Sequence, residues 1–454
     1  RAPAITRNTL ATRRLSSQRR HRLSPSFAGF ADIILEQGKQ SPYRPNLSCL
    51  AGPPPRVQHA QAPSILLISN GHGEDLNGGL IAERLKALRP DLRLAALPIV
   101  GRGQAYTRRG IPLLHQGKSL PSGGMVYQQG NIWRDLRAGL LVQTLRQAIA
   151  AWRHRRHIDL VLCVGDHVPM AFALLTCRPT VAFLVSTSSF YEGRMRIPAV
   201  TRWFCQRRLT RAILTRDAYT ATDLRAQGLV KARFCGYPIM DLPQAPGDAD
   251  PAAPGVARLA LLPGSRLPEA RHNLVLMLRL CAHIQAAKPS RVLQVQAAVV
   301  DGVIGSELDR LAAALGWSAV PDGLRSPGGH LVVAIRHGAF AEILHGSQLA
   351  VGMAGTAVEQ AVGLGLPVVQ IVGAGPQFTY AFAESQMRLL GSAVHTVGHG
   401  PAGEAELQQA ADLVWRLLDD PAVPAHCREV GLERVGAPGG SEGIARAVLA
   451  QLGA

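Results

Sequence analysis

Residues 64–79 read SILLISNGHGEDLNGG, and residues 80–88 continue LIAERLKAL. Ser64–Ser69 is a short aliphatic run without polar alternation, which predicts a strand buried on both faces, as in a parallel sheet. A glycine-rich turn from Asn70 to Gly79 then leads into an amphipathic helix carrying Leu80, Ile81, Leu85 and Leu88. Strand, glycine turn and helix in that order make the first half of a βα repeat.

Working outward, the same rhythm recurs. Apolar runs at Leu92–Val100, Asp159–Val164, Thr180–Val185, Arg211–Thr215 and Ala232–Gly236 read as further strands of one sheet. The stretch QAPGDADPAAPG at 244–255 has no apolar period and reads as a linker. Beyond it, Arg258–Pro263, Val292–Ala298, Leu331–Ile335, Gln348–Val351 and Pro367–Val372 form a second set. The expected organisation is a basic tail over 1–63, an α/β domain over 64–242, a linker over 243–257, and a second α/β domain with terminal helices over 258–454. Two such parallel sheets facing each other leave a cleft between the carboxyl ends of their strands, where open α/β sheets bind ligands.

Composition narrows the function classes. Across 454 residues, 47% are hydrophobic and only 5% aromatic, which suits aliphatic sheets and excludes a disordered polymer. The net charge is +18, of which residues 1–63 supply +8 through ten Lys/Arg against Asp32 and Glu36. A basic surface attracts phosphate of any source, but low aromatic content and missing RNA motifs give no expectation of nucleic-acid binding. A non-catalytic basic surface for nucleic acid or anionic lipid is the alternative from outside enzymology. Seven scattered cysteines without a C-x-x-C pattern point to a reducing compartment. No run reaches the roughly 18 apolar residues of a membrane span. The Arg/Ser-rich, acid-poor tail reads either as an upstream extension or as an organelle transit peptide, so the expected location is the cytoplasm, or a plastid in the second case.

Candidate chemistry sits in the loops after the strands. In the first loop, Glu74 and Asp75 would repel a pyrophosphate, so the loop reads as acceptor-side. Gly73, Asp75 and Asn77 would contact the acceptor, and His72 and Glu74 would serve acid/base work; the plainer reading has Asp75 or Asn77 capping the helix. Asp166 follows the strand ending at Val164 and is placed at the lip of the cleft, as a base or as a helix cap, with His167 beside it. In the second domain, Gly264, Ser265 and Arg266 form a glycine turn with a hydroxyl and a guanidinium at a helix start, a cradle for a diphosphate. Gly355 and Thr356 open a second such helix, and Glu359 one turn later is a candidate for ribose hydroxyls. Asp248 and Asp250 match a D-x-D pattern but fall in the linker, and no other carboxylate or histidine cluster has metal-ligand spacing, so neither metal nor cofactor is expected. Residues 131–157 carry Ile132, Trp133, Leu136, Leu140, Leu141, Leu145, Ile149 and Trp152 at helical spacing with arginines between, the pattern of a core-packed helix or of one lying on an anionic membrane.

Several of these pieces, in order, resemble lipid-A-disaccharide synthase, a GT-B glycosyltransferase family. They are Gly73-Glu74-Asp75-Leu76-Asn77-Gly78, Val164 to Pro169, Phe234 to Asp241, LPGSR at 262–266, and Gly355-Thr356-Ala357 with Glu359. The family's first loop is closer to G-E-x-S-G-D; His72 and Asn77 here look like the related branch of cyanobacteria and plastid-bearing lineages. The resemblance implies a GT-B fold of two Rossmann-like domains, a UDP-sugar donor, a lipid-linked acceptor, metal-independent transfer at the cytoplasmic membrane surface, and a carboxylate matching Asp166 near the acceptor. A UDP-sugar epimerase on the same fold is the nearest alternative.

Overall fold

The computed structural model describes residues 62–117, 140–244, 255–375 and 378–452. The expected tail up to residue 61, the D-x-D pair at Asp248 and Asp250, and the Ile132, Trp133 and Leu136 positions lie outside the described residues.

The first sheet is built from β1 (Ser64–Ser69), β2 (Arg93–Pro98), β3 (Leu160–Gly165), β4 (Thr180–Leu184), β5 (Thr210–Thr215) and β6 (Ala232–Phe234). Its order is β2-β1-β3-β4-β5-β6 and every pairing is parallel. β1, β3 and β4 are buried at every position, which is why they read as unbroken apolar runs. The helices between them are α1 (His72–Leu88), α2 (Leu140–His154), α3 (His167–Thr176), α4 (Ala199–Gln206) and α5 (Ala218–Ala226), with one further turn at Gln104–Thr107. Period-two alternation divides the core. Ile65 and Leu67 pack with Ile81 and Leu85 of α1, while Leu66 and Ile68 pack with Met170 and Phe172 of α3 and Phe204 of α4.

The second sheet contains β7 (Val256–Leu262), β8 (Val292–Val299), β9 (Ser318–Val320), β10 (Gly323–Arg325), β11 (Val332–His337), β12 (Leu349–Gly352), β13 (Val368–Ile371) and β14 (Val394–Val397). The order is β14-β13-β12-β7-β8-β11-β10-β9; β10 runs antiparallel to both of its neighbours and the other pairs are parallel. Its helices are α6 (Glu269–Ala287), α7 (Ser306–Ala313), α8 (Phe340–His345), α9 (Thr356–Gly363), α10 (Tyr380–Leu390), α11 (Glu404–Asp419), α12 (Val423–Arg434) and α13 (Gly440–Leu449).

Two local results differ from the sequence reading. The glycine-rich segment is not a turn before the helix: α1 starts at His72 and already contains Gly73, Gly78 and Gly79. Each glycine inside a helix costs about 1 kcal/mol relative to alanine, and close packing accounts for two of them. A Cβ on Gly78 would fall 2.0 Å from the Tyr106 hydroxyl, and one on Gly79 would fall 2.9 Å from the Ala105 carbonyl oxygen. Acidic residues in the first turn, Glu74 and Asp75, oppose the helix dipole favourably and help start the helix there.

The second difference is α13, which packs on the first sheet's side. Ile444 and Val448 share a core with Ile81 and Leu85, and burying each contributes about 1.5–3 kcal/mol. The crossing is backbone on backbone: a Cβ on Gly440 would lie 2.4 Å from the Tyr237 main chain. The Asp241 carboxylate accepts from the Gly439 and Ser441 N–H groups and caps the helix start.

Candidate functional site

Strand order decides where the site lies. In the first sheet the direction of progression reverses between β1 and β3, and in the second between β7 and β12. Loops at such a switch point part to opposite faces and leave a crevice. A cavity of about 920 Å³ opens at the loops after β7 and β12 and is closed from the first sheet by His72 and Gly73 after β1.

On the second sheet's wall, Gly264 takes a left-handed φ of +98°, and a Cβ there would sit 3.2 Å from the Met353 carbonyl oxygen. The two loops are laced together by the Met353 N–H donating to the Leu262 carbonyl at 2.9 Å. Gly264, Ser265 and Arg266 line the cavity, as do Gly355, Thr356 and Ala357. α9 begins at Thr356 with no side chain capping it, so the Thr356 and Ala357 amides are available to an anion, while the Val358 N–H donates to the Gly355 carbonyl. Arg266 is exposed.

Glu359 is placed differently from its neighbours on α9. It is not among the residues lining the cavity; Tyr237 OH donates to its Oε2 at 2.8 Å, and Arg216 Nη2 lies 3.1 Å from the same oxygen. Arg216 is 3% exposed. Burial alone would lower its pKa, yet the facing Glu359 carboxylate, with Tyr237, Tyr191 and Asp217 behind it, raises it above the usual arginine value. This buried pair ties the loop after β5 to α9.

On the first sheet's wall, Glu74 is half-buried under the ends of β1 and β3. Its carboxylate accepts from Ser186 Oγ at 2.6 Å, and a Cβ on Gly71 or Gly165 would press against its side chain. Burial raises its pKa, the Ser186 hydrogen bond opposes that, and the Asp166 and Glu359 carboxylates add to it. His72 shifts the other way: burial, then the charge of Arg266 across the cavity, lower its pKa below the usual 6.5. A neutral imidazole at neutral pH accepts a proton. Asp166 Oδ1 accepts from the Val168 N–H at 2.9 Å and from Asn70 Nδ2 at 3.3 Å, which caps α3 and holds the first loop.

Two residues of the predicted acceptor loop lie inside the fold. Asp75 is 2% exposed and accepts from Ser69 Oγ at 2.6 Å, and Ser69 in turn accepts from Tyr106 OH at 2.9 Å. Asn77 is equally buried, with Nδ2 donating to the Gly73 carbonyl at 2.9 Å. For Asp75 the reason is rotation about α1, where consecutive residues point to different faces. Neither caps the helix, because its first residue is His72. Ser186, Arg216 and Tyr237 are positioned beside the predicted groups but were not singled out as site residues from the sequence. Arg216 had a signal, since it directly follows the carboxyl end of β5 as Asp166 follows β3. Among the described residues no three His, Cys, Asp or Glu side chains gather as for a metal.

Solved structures resemble this arrangement. MurG of Acinetobacter baumannii aligns with a TM-score of 0.55 at 13% identity, covering 86% of this chain and 100% of that one. The chain has a GT-B fold. CalG4, the calicheamicin glycosyltransferase, aligns at 0.54 with 18% identity over 87% of this chain and 100% of that one. A putative UDP-N-acetylglucosamine 2-epimerase from Listeria monocytogenes aligns at 0.52 with 15% identity over 86% and 95%. No family profile and no curated protein sequence matches the chain.

Proposed function

We propose that the chain is an inverting, metal-independent glycosyltransferase that moves an N-acetylglucosamine-type sugar from UDP to a lipid-linked acceptor, in the manner of lipid-A-disaccharide synthase or its related branch. The observation that carries this reading is the cavity at two facing switch points, with an uncapped helix start and Arg266 on one wall and His72 on the other. The GT-B neighbours include glycosyltransferases, and one neighbour is described as acting on a UDP-sugar.

In this reading the α9 amides, Ser265 and Arg266 hold the diphosphate. The acceptor hydroxyl loses its proton to His72 as its oxygen bonds to the anomeric carbon, and the bond from that carbon to the diphosphate oxygen breaks from the opposite face. The leaving diphosphate takes the electron pair, and Arg266 and the amides stabilise its charge. His72 is favoured as base because it lines the cavity and its pKa is lowered, whereas Asp166 is committed to capping α3. Glu74 orients the acceptor. Glu359 presents α9 through its pairing with Arg216 and Tyr237.

The test is thermal stabilisation of the protein by UDP, CDP, GDP, TDP and UDP-N-acetylglucosamine, beside Arg266→Ala. A ligand at a hundred times its Kd stabilises by about 2.7 kcal/mol. Selective stabilisation by uridine ligands, lost in Arg266→Ala, is expected; no response to any nucleotide overturns the proposal. A second reading, a UDP-sugar epimerase, draws on His72 at the cavity and Glu74 two residues further along α1, whose pKa values shift in opposite directions. Turnover of UDP-N-acetylglucosamine without any acceptor would select it.

A further inference from the structure

Helix α2 is packed inside out. Its inward face carries Gln143, Gln147 and Ala151, and the glutamines bond the main chain at the end of β2: Gln143 Nε2 donates to the Ile99 carbonyl at 3.1 Å, and Gln147 Nε2 donates to the carbonyls of Pro98 at 2.9 Å and Ile99 at 3.1 Å. Its outward stripe is Val142, Leu145, Ile149 and Trp152, all between 40% and 62% exposed. A surface helix of a water-soluble domain places such a stripe inward. Here the polar side is the buried one.

The stripe does not stand alone. Ala151 of α2, Met170 and Phe172 of α3 and Phe204 of α4 pack on the same side of the first sheet, so the three helices form one outer layer. That layer also exposes Leu175 of α3 and Val200 and Trp203 of α4. Its charge is one-sided. No acidic residue occurs from Leu140 to Ile158, and Glu192 is the single acid between His167 and Arg216. Arg146, Arg153 and Arg156 are exposed beside the stripe, and so is Arg208 after α4. The Arg155 guanidinium lies 4.0 Å from the Trp152 ring centroid, and that of Arg207 lies 4.5 Å from the Trp203 ring.

We infer that the outer layer of α2, α3 and α4 docks on an anionic lipid surface, with Val142, Leu145, Ile149, Trp152, Val200 and Trp203 entering the headgroup boundary and the arginines meeting lipid phosphate. This deepens, and rests on, the reading of a lipid-linked acceptor. Aliphatic and indole side chains interleaved with arginine match the apolar and anionic layers of a membrane interface together. A nucleic acid would satisfy the arginines alone and leave the aliphatic stripe in water. The face is also connected to the cavity. The carbonyls held by Gln143 and Gln147 belong to Pro98 and Ile99, and at Gly101, two residues on, a Cβ would come within 3.2 Å of the His72 ring. The helix that carries the stripe is thus held against the segment whose Gly101 lies beside the proposed base.

The experiment is vesicle co-sedimentation of the full chain, with phosphatidylcholine alone and with added phosphatidylglycerol, at about 0.15 M salt. Quenching of tryptophan fluorescence by brominated lipid is read in parallel, with Trp152→Phe identifying the Trp152 signal. Binding to the anionic vesicles with Trp152 quenched is expected. Arg146→Gln/Arg153→Gln/Arg156→Gln should lower partitioning on the order of 100-fold, and Leu145→Ser/Ile149→Ser/Trp152→Ser should abolish the quenching, both with unchanged circular dichroism. Undiminished binding in both triple variants would overturn the proposal and assign the affinity to another basic segment. Trp152 shielded from aqueous iodide before lipid is added would overturn it in favour of cover by residues 118–139, and a dimer dispersed by the apolar variant in favour of a second copy. Docking without nucleotide stabilisation would support the surface and sink only the UDP-sugar reading.

Discussion

Asp75→Asn should stabilise the protein at alkaline pH and do progressively less toward acid. The Asp75 carboxyl is 2% exposed and accepts one short hydrogen bond from Ser69. Burial raises its pKa from the usual 3.8 to about 7, with Ser69 opposing the shift and Glu74 reinforcing it. A carboxyl whose folded pKa lies above its unfolded one favours folding when protonated. Its contribution is complete below the unfolded value and is lost as pH rises through the folded one. Carried through the linkage relation, ionisation costs about 4 kcal/mol near pH 8 and about 1.7 kcal/mol near pH 5. Asparagine keeps the acceptor for Ser69 and never ionises. Urea unfolding of both proteins at the two pH values should give a variant advantage about 2–3 kcal/mol larger at the higher pH. Taking the difference of differences removes every other titrating group that the substitution leaves alone. An advantage of the same size at both pH values would show that Asp75 does not change protonation in this range, and the account of the Tyr106–Ser69–Asp75 chain would fail.

Three further outcomes follow from the geometry. Glu359→Gln leaves the Arg216 charge buried and should cost about 3–5 kcal/mol in denaturant unfolding, most of it recovered in Glu359→Gln/Arg216→Met; additive losses would refute the pairing. Gly78→Ala drives a methyl into the Tyr106 hydroxyl at 2.0 Å and should cost about 1–3 kcal/mol, with Tyr106→Phe in the same chain giving less than the summed effects. If His72 is the base, kcat/KM should rise with pH through a value below 6.5, and His72→Gln should remove that limb with a rate loss of about 100- to 10,000-fold; an unchanged limb would move the role elsewhere.

How much of this was readable before folding differs by level. Strands buried on both faces have little choice but to be aliphatic runs, so β1, β3, β4, β7 and β12 stood out. β9 and β10 have three residues each and form an antiparallel edge, and β14 is Val-His-Thr-Val with half-buried polar members; none has a run long enough to register. The site loops were legible because glycine and polar groups at the carboxyl end of a buried strand break an otherwise apolar pattern. Side-chain direction was not. Glu74 and Asp75 are adjacent in sequence, but the turn per residue of α1 sends one to Ser186 at the cleft and the other to Ser69 in the core. Reading the glycines as a turn hid that rotation. Arg216 pairing with Glu359 depends on a loop and a helix more than a hundred residues apart, which no local pattern reports.

The return of α13 to the first sheet sets a timetable for synthesis. α1 leaves the ribosome early with one side on β1, and α13, which packs against it, is made far later. Roughly two hundred residues separate β6 from α13, so at about 5–20 residues per second the first sheet waits on the order of ten to forty seconds for its final layer. The half translated first is thus the half finished last, and during that interval an apolar helix face stands open to chaperones.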